Sequence, residues 1–371
     1  MTNLVVIGGF LGSGKTTAIL AMAKLLLENG QKVGIVTNDQ GSDLVDTAFL
    51  AKEGLPVLEV NGGCFCCHFD EFASKVSELA ETQKPDIVLA EPVGSCTDLI
   101  ATIFKPLQRS STLSFSLRPL SILVDPKRAT RLMEAENQTQ KNVDDENVSF
   151  PDEINYLFKK QLEEADILLL NKTDTLSEYE SDKLLAFLRS IVPTAEVMAV
   201  SAKTGIHIAE WAGKTATGQS KLQTIKEFNY DTYAKAEAML GWLNSIMTVD
   251  FNEPMNVNDF SLSVMLQIRA ALINENKEIA HLKMYVMADN EWLKISLVSV
   301  SNEPEFNRQM QTYEKTVNIV MNARANIEPD LLQQIVETVI QQSAHHAGGV
   351  ISNLKTASFS PAKPNPTYRL H

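Results

Sequence analysis

The sequence predicts an α/β protein in which a doubly wound, mostly parallel sheet is followed by a smaller α+β domain. Three observations carry this expectation. Strand-length apolar runs at residues 4–7, 32–37, 56–60, 86–90, 120–124, 167–170 and 196–200 recur through the first half, separated by segments with helical spacing. A glycine-rich loop stands at the first strand-to-helix junction, and each later strand ends in polar residues. Beyond the linker-like stretch 213–224, the order changes to strand, helix, strand, strand, strand and helix.

The glycine-rich loop reads Val6-Ile-Gly-Gly-Phe-Leu-Gly-Ser-Gly-Lys-Thr-Thr17 and holds the phosphate-binding pattern as Gly9, Gly14, Lys15 and Thr16. It marks a P-loop NTPase that binds a nucleoside triphosphate. Glycines at 9, 12 and 14 let the backbone N–H groups of the loop, Ser13 included, point inward at phosphate oxygens. Lys15 then reaches the β- and γ-phosphates, the Thr16 hydroxyl reaches Mg²⁺, and Thr17 follows on the first helical turn. After Gly30, which suits a helix C-cap, the second strand ends at Asn38-Asp39. Asp39 is placed to hold Mg²⁺ directly or through water, or to orient the attacking water; a turn-forming acid is the alternative.

The strand at 86–90 delivers Glu91-Pro-Val-Gly94, an acid followed by a glycine hinge where such proteins sense the γ-phosphate. Glu91 is a candidate for the Mg²⁺ water shell or for positioning the nucleophile, against the plainer reading of a helix cap. Residues 134–153, centred on Asp144-Asp145-Glu146, have the composition of a solvated surface insertion. A helix through residue 164 and the strand 167–170 lead to Asn171-Lys172-Thr173-Asp174, whose N-K-x-D spacing suits guanine. Asp174 can accept from guanine N1–H and the 2-amino group, Asn171 can face the other polar edge, and the Lys172 stem can cover the ring. Adenine would leave that carboxylate unpaired at a cost of about 1–3 kcal/mol, so GTP is preferred. The loop Ser201-Ala202-Lys203 after the next strand closes over the base.

Together these elements resemble the CobW-like GTPases, relatives of the urease and hydrogenase nickel-insertion GTPases. The resemblance covers residues 1–215 and rests on the phosphate loop, the G-C-x-C-C motif at Gly63 to Cys67, the E-x-x-G motif at Glu91 to Gly94, and Asn171 to Asp174. It implies slow GTP hydrolysis coupled to binding and delivery of a transition metal, often zinc, or to cofactor assembly. The catalytic residues it implies are Lys15, Asp39 and Glu91, with Thr16, Asp39 and Glu91 around Mg²⁺. The implied partner is a client metalloenzyme or cofactor protein, and a nucleotide-dependent homodimer is compatible with it. Two departures stand out. The six histidines offer only the pair His345-His346 as a cluster, which speaks against bulk metal storage, and Asp39 is followed by Gln40-Gly-Ser-Asp43 in place of the family's acidic loop.

Cys64, Cys66 and Cys67 cannot share one direction on a regular element, so they need an irregular loop folded around one centre. Three thiolates select Zn²⁺ or a similar soft ion and leave a tetrahedral position open, which suits transfer. A closed structural zinc and simple packing are the alternatives. Cys96 is either a fourth ligand or a small core thiol, and His68 is adjacent.

A net charge of −13 and a pI near 5 argue against a nucleic-acid surface. No apolar run reaches the length of about 18 residues that a membrane span needs. The N-terminus runs straight into the first strand, and with free cysteines this predicts a cytoplasmic protein. The expected division is a GTPase domain at 1–215, a linker at 216–228, an α+β domain at 229–346 and a flexible tail at 347–371 that could also dock in extended form. In the second domain, strands at 242–251, 281–287, 292–298 and 316–321 with helices at 259–276 and 329–342 suggest a ferredoxin-like sheet with helices on one face. Two further functions fit parts of this pattern. One is a regulatory GTP switch with a structural zinc that recruits a corrinoid or other cofactor protein; the other is a P-loop kinase, weakened by the guanine-type loops.

Overall fold

The computed structural model describes residues 2–38, 50, 54–60, 63–110, 115–137, 150–225, 227–289 and 291–370. In the first half, strands β1 (Thr2–Gly9), β2 (Val33–Asn38), β3 (Val57–Val60), β4 (Ile87–Glu91), β6 (Ser121–Val124), β7 (Ile167–Leu170) and β8 (Glu196–Ala199) form a sheet in the order β3-β2-β4-β1-β6-β7-β8. Every pairing in it is parallel, including that of the short β5 (Phe115–Leu117) with β1.

Such a sheet is buried on both faces, which is why its strands are continuous apolar runs. Leu4 and Val6 enter one core with helices α2 (Phe69–Thr82), α5 (Asp152–Glu163) and α6 (Glu178–Ile191). Val5 and Ile7 enter the opposite core with α1 (Lys15–Glu28) and α7 (Ile208–Thr217). A π-helical turn, Ile100–Phe104, runs into the short α3 (Lys105–Arg109). The C-terminal ends of β1, β2, β4, β6, β7 and β8 share one edge, where an open parallel sheet binds its ligand.

The acidic segment departs from its expected surface character at both ends. Helix α4 (Pro126–Asn137) continues into it, and Phe150 is buried against Phe10 with ring centroids 6.3 Å apart. Asp144, Asp145 and Glu146 lie outside the described residues. Helix α7 runs to Thr217, two residues into the stretch expected as a linker at 216–228, and buries Trp211 and Thr215. Helix α8 (Tyr230–Ala238) does not open a new core: Tyr233 and Ala236 pack into the first one.

The second sheet begins at Gly241. Its strands are β9 (Gly241–Met255), β10 (Ile279–Met287), β11 (Trp292–Leu297), β12 (Glu305–Arg308), β13 (Glu314–Ala325) and β14 (Gly349–Phe359), in the order β12-β11-β10-β13-β9-β14. Helix α9 (Val257–Asn274) joins β9 to β10, and α10 (Pro329–His346) joins β13 to β14. The four strands β10-β13-β9-β14, with these two crossovers, give the ferredoxin-like arrangement, which the β11–β12 hairpin extends. Strand β14 lies in what the sequence suggested was a flexible tail. Its alternate burial is weak, and it is held by antiparallel pairing with β9.

Both helices cover one sheet face, as expected. The other face is turned to the first domain, where Tyr285, Trp292 and Val320 join the core of α1 and α7, and polar contacts lie beside them. Arg128 on α4 donates to the carbonyls of Ala280 and Val298 at 3.1 and 3.2 Å while its guanidinium lies 4.6 Å from the Phe10 ring centroid. Arg131 pairs with Glu278 at 2.6 Å, and the other Glu278 oxygen accepts from the Ile279 and Val300 N–H groups. The Glu278 side chain is fully buried.

Removing one member of such a pair strands the rest. Glu278→Ala should therefore destabilise the protein by about 3 kcal/mol, read as a lower midpoint in urea unfolding. A loss below about 1 kcal/mol would mean that water replaces the carboxylate.

Candidate functional site

The phosphate loop is built where the strand pattern stops and the helix begins. Gly14 stands immediately before α1 with φ +92°, and a Cβ there would lie 2.5 Å from the Asn171 amide nitrogen. Only glycine meets both conditions. Lys15 is buried and donates from Nζ to the Gly9 carbonyl at 3.0 Å, so its ammonium arches over the loop. The Thr16 hydroxyl donates to Glu91 Oε1 at 3.0 Å. Two residues 75 positions apart, both expected around Mg²⁺, thus meet in a buried place. Asp39, expected with them, lies outside the described residues. Thr16, Thr17 and Glu91 line a common cavity with Gly12, Gly14 and Lys15.

The base-side residues also come together, with roles that the pattern alone did not separate. Asn171 is buried; its Nδ2 donates to the Ser13 carbonyl at 2.9 Å and its Oδ1 accepts from the Ala202 N–H at 3.0 Å. It ties the phosphate loop to the Ser201-Ala202-Lys203 loop, whereas the sequence suggested that it faced the base. Asp174 remains exposed and accepts from the Ser201 hydroxyl at 2.5 Å. Lys172 Nζ bridges the Gly12 carbonyl at 2.9 Å and Asp125 Oδ2 at 2.7 Å. Burial alone would raise the Asp125 carboxyl, but the Lys172 charge and hydrogen bond outweigh it and hold it below the usual range. Lys203 is exposed, and with Thr17 and Ala202 it borders a cleft reached by Trp292 and Arg308 of the second sheet.

The cysteine loop is an irregular turn ahead of α2, as three converging thiols require. Cys64 Sγ lies 2.7 Å from Cys66 Sγ and 3.2 Å from Cys67 Sγ, with 3.9 Å between the last two. The three sulfurs could hold one metal ion. Thiol donors from Cys66, Cys67 and Cys96 hold Cys64 well below its ordinary pKa. Its partners move the other way: Cys66 is raised, and Cys67 is pushed up to about 11, chiefly by bonding to Cys64. The cluster thus favours the thiolate at Cys64 among polarizable sulfurs, which suits a soft cation. Cys96 is buried beside them, and burial raises its thiol first of all.

Two side chains that the sequence did not single out connect these parts. Asn38 at the end of β2 is buried, lines the nucleotide cavity, and donates from Nδ2 to the carbonyls of Val60 at 3.0 Å and Gly63 at 2.7 Å. Its Oδ1 accepts from the Phe65 N–H at 2.8 Å. One carboxamide therefore joins the phosphate cavity to the cysteine loop. Gln161 on α5 donates to the carbonyls of Gly94 and Cys96, both at 2.9 Å, and fixes the segment after Glu91. For Asn38 the signal was its place beside Asp39 at a strand end; Gln161 gave none. Glu237 on α8 is also buried, and burial followed by the Cys64 charge pushes its carboxyl up to about 8.

The family description "CobW/HypB/UreG, nucleotide-binding domain" matches residues 3–199. The chain is 32% identical over 186 residues to the zinc chaperone CobW of Sinorhizobium sp, covering 46% of this chain and 51% of that protein. It is 33% identical over 192 residues to the zinc chaperone YeiR of Escherichia coli strain K12, covering 50% of each. The chain spans about half the length of the curated relatives it matches. Among solved structures, HypB from Helicobacter pylori in complex with nickel aligns with a TM-score of 0.41 at 16% identity, covering 61% of this chain and 92% of that one. Zn(II)-bound YjiA GTPase from E. coli aligns with a TM-score of 0.38 at 16% identity, covering 93% and 98%.

Beyond the matched region, the end of the chain closes on the cysteine loop. After β14 the backbone runs extended, so that the Thr367 N–H donates to the Cys66 carbonyl at 2.9 Å and its hydroxyl to the Cys67 carbonyl at 3.1 Å. The Asn365 N–H donates to Cys67 Sγ at 3.3 Å. Tyr368 packs edge-on against Phe69, and Arg369 pairs with the buried Asp98 at 2.7 Å. Truncation after Ser360 should raise amide hydrogen exchange in the cysteine loop by roughly tenfold or more, since each lost bond contributes about 1 kcal/mol. Exchange in α1 should not change. Unchanged protection of the cysteine loop would show that the tail lies on it without holding it.

Proposed function

The chain belongs to the CobW/HypB/UreG family, and we propose that it hydrolyses GTP and couples that hydrolysis to binding and transfer of a transition metal, zinc above all, at Cys64, Cys66 and Cys67. The observation that carries the coupling is the Asn38 carboxamide, which borders the nucleotide cavity and holds both sides of the cysteine loop. A change at the end of β2 when the γ-phosphate arrives or leaves would move that carboxamide, and with it the thiols.

In this reading Lys15 neutralises the β- and γ-phosphates, and backbone N–H groups of residues 9–14 cradle them. Thr16 and Glu91, with Asp39, would hold Mg²⁺ directly or through water; their hard oxygen donors fit that ion, and two of them are already in contact. Asp174 reads the guanine edge, steadied by Ser201, while Lys172 covers the ring and Asn171 keeps the base loop and phosphate loop in register. Zinc is cargo at the cysteines. The names of the curated relatives support zinc, and the sulfur-only donor set supports a soft ion. The receiver is a client metalloenzyme or cofactor protein.

Titration of zinc against a competing chelator, with a non-hydrolysable GTP analogue or with GDP, tests the coupling. Affinities should differ about tenfold, or about 1.4 kcal/mol, and metal should change GTP affinity by the same factor. Asn38→Ala should abolish the difference while preserving zinc and nucleotide binding separately. Equal zinc affinities in the two states of the unaltered protein would favour the regulatory switch with a structural zinc.

Base selectivity gives a second expectation. Asp174→Asn should weaken GTP and favour xanthosine triphosphate by about tenfold or more, because the 2-oxo group of xanthine accepts where guanine donates. Unchanged preference in competition binding would remove Asp174 from the base pocket.

A further inference from the structure

The face of the second sheet turned toward the phosphate loop is part apolar and part cationic. Strand β10 alternates Leu282, Met284 and Val286, which enter the core with α9 and α10, with His281 and Lys283 on the opposite side. On β11, Leu293 and Ile295 alternate with Lys294 and Ser296; on β13, Met321 and Ala323 alternate with Asn322 and Arg324. On the same face Tyr285, Trp292 and Val320 pack into the core with α1 and α7, so the cationic side chains occupy only part of it. Here Lys294 and Arg324 are only 3% and 2% exposed. Among the described residues this face brings Lys283, Lys294 and Arg324 against one acid, Glu305, to the cavity that Lys15, Thr16 and Glu91 line. These cations stand within a chain of net charge −13.

We propose that this face is the second half of the nucleotide site, where Lys283 and Lys294 contact the terminal phosphate of the triphosphate held by the phosphate loop. The inference rests on the reading of that loop as a triphosphate site and extends it to the second domain. The two surfaces already touch: a Cβ on Gly12 would lie 2.5 Å from Val298 Cγ1, so the loop backbone reaches the end of β11 with no side chain between. Arg324 is held by the Leu243 and Ala323 carbonyls and Asn244, and lies 4.1 Å over the Trp242 ring. It contributes field at that place, while the longer reach falls to the lysines. The second domain thereby distinguishes triphosphate from diphosphate, because only the triphosphate bridges both surfaces.

The test uses the full chain and measures binding of a non-hydrolysable GTP analogue and of GDP by isothermal titration, in the unaltered protein and in Lys283→Ala, Lys294→Ala and the double variant. The ratio of triphosphate to diphosphate affinity should fall about tenfold in the double variant, with GDP affinity kept within about twofold. Lys294→Arg should restore most of the ratio. Lys283 is only half-buried, so Lys283→Ala should fold and report even where Lys294→Ala does not. An unchanged ratio in folded variants, or an equal fall for both nucleotides, would overturn the proposal and leave the face as domain packing. If the unaltered protein bound neither nucleotide, the reading of the phosphate loop would itself fail, and the proposal with it.

Discussion

The loop between β1 and α1 must present its backbone, and that requirement constrains everything packed around it. Turning successive N–H groups toward one point removes side chains from the loop's surface, so neighbours approach the main chain directly. Asn171 occupies the space where a Gly14 Cβ would be, and Val298 the space of a Gly12 Cβ. The base-side loop and the second domain are therefore seated on the same few residues. Lys172, bonded to the Gly12 carbonyl and to Asp125, adds a charged strut on the same side. A shift of the loop backbone is felt at once by segments more than a hundred positions away in sequence.

From this loop two paths lead to the thiols. One passes through Thr16 and Glu91 into the segment Gly94 to Cys96, which Gln161 grips by two carbonyls. The other passes through Asn38 into Val60, Gly63 and Phe65. Both end at a cluster in which S–H bonding from the neighbouring thiols outweighs burial and favours the charged form of Cys64. The last residues of the chain then cover Cys66 and Cys67 from outside. A cation in that cluster would be enclosed by three segments, two of them tied to the nucleotide cavity. This enclosure is the physical form that coupling between nucleotide and metal takes in the proposal, since sites communicate only through elements that both of them touch.

Much of the nucleotide domain was legible because its signals are local. A buried parallel strand writes itself as an unbroken apolar run, and the phosphate loop requires glycines and a lysine at set spacing, so residues 167–170 and 9–16 could be read directly. The second sheet was legible from its alternation, but alternation reports only which residues share a face. It cannot say whether the polar face meets water or another domain, so the burial of Lys294 and Arg324 was hidden. Strand β14 was missed for a related reason: at an edge, with mixed burial, it is held mainly by main-chain bonds to β9.

The sequence by itself determined the phosphate loop, the Asn171 to Asp174 motif at a strand end, the three converging cysteines and most of the strands and helices, because each depends on residue type at short spacing. Only the tertiary structure decided that Asn38 joins the two sites, that Asn171 braces the loops, that a cationic sheet face closes over the phosphate loop, and that Asn365 reaches Cys67 across 298 positions. Several of these contacts use main-chain N–H and C=O groups, which nearly every residue offers. Such a bond selects a place in the fold and leaves almost no mark on the identity of the residue that makes it.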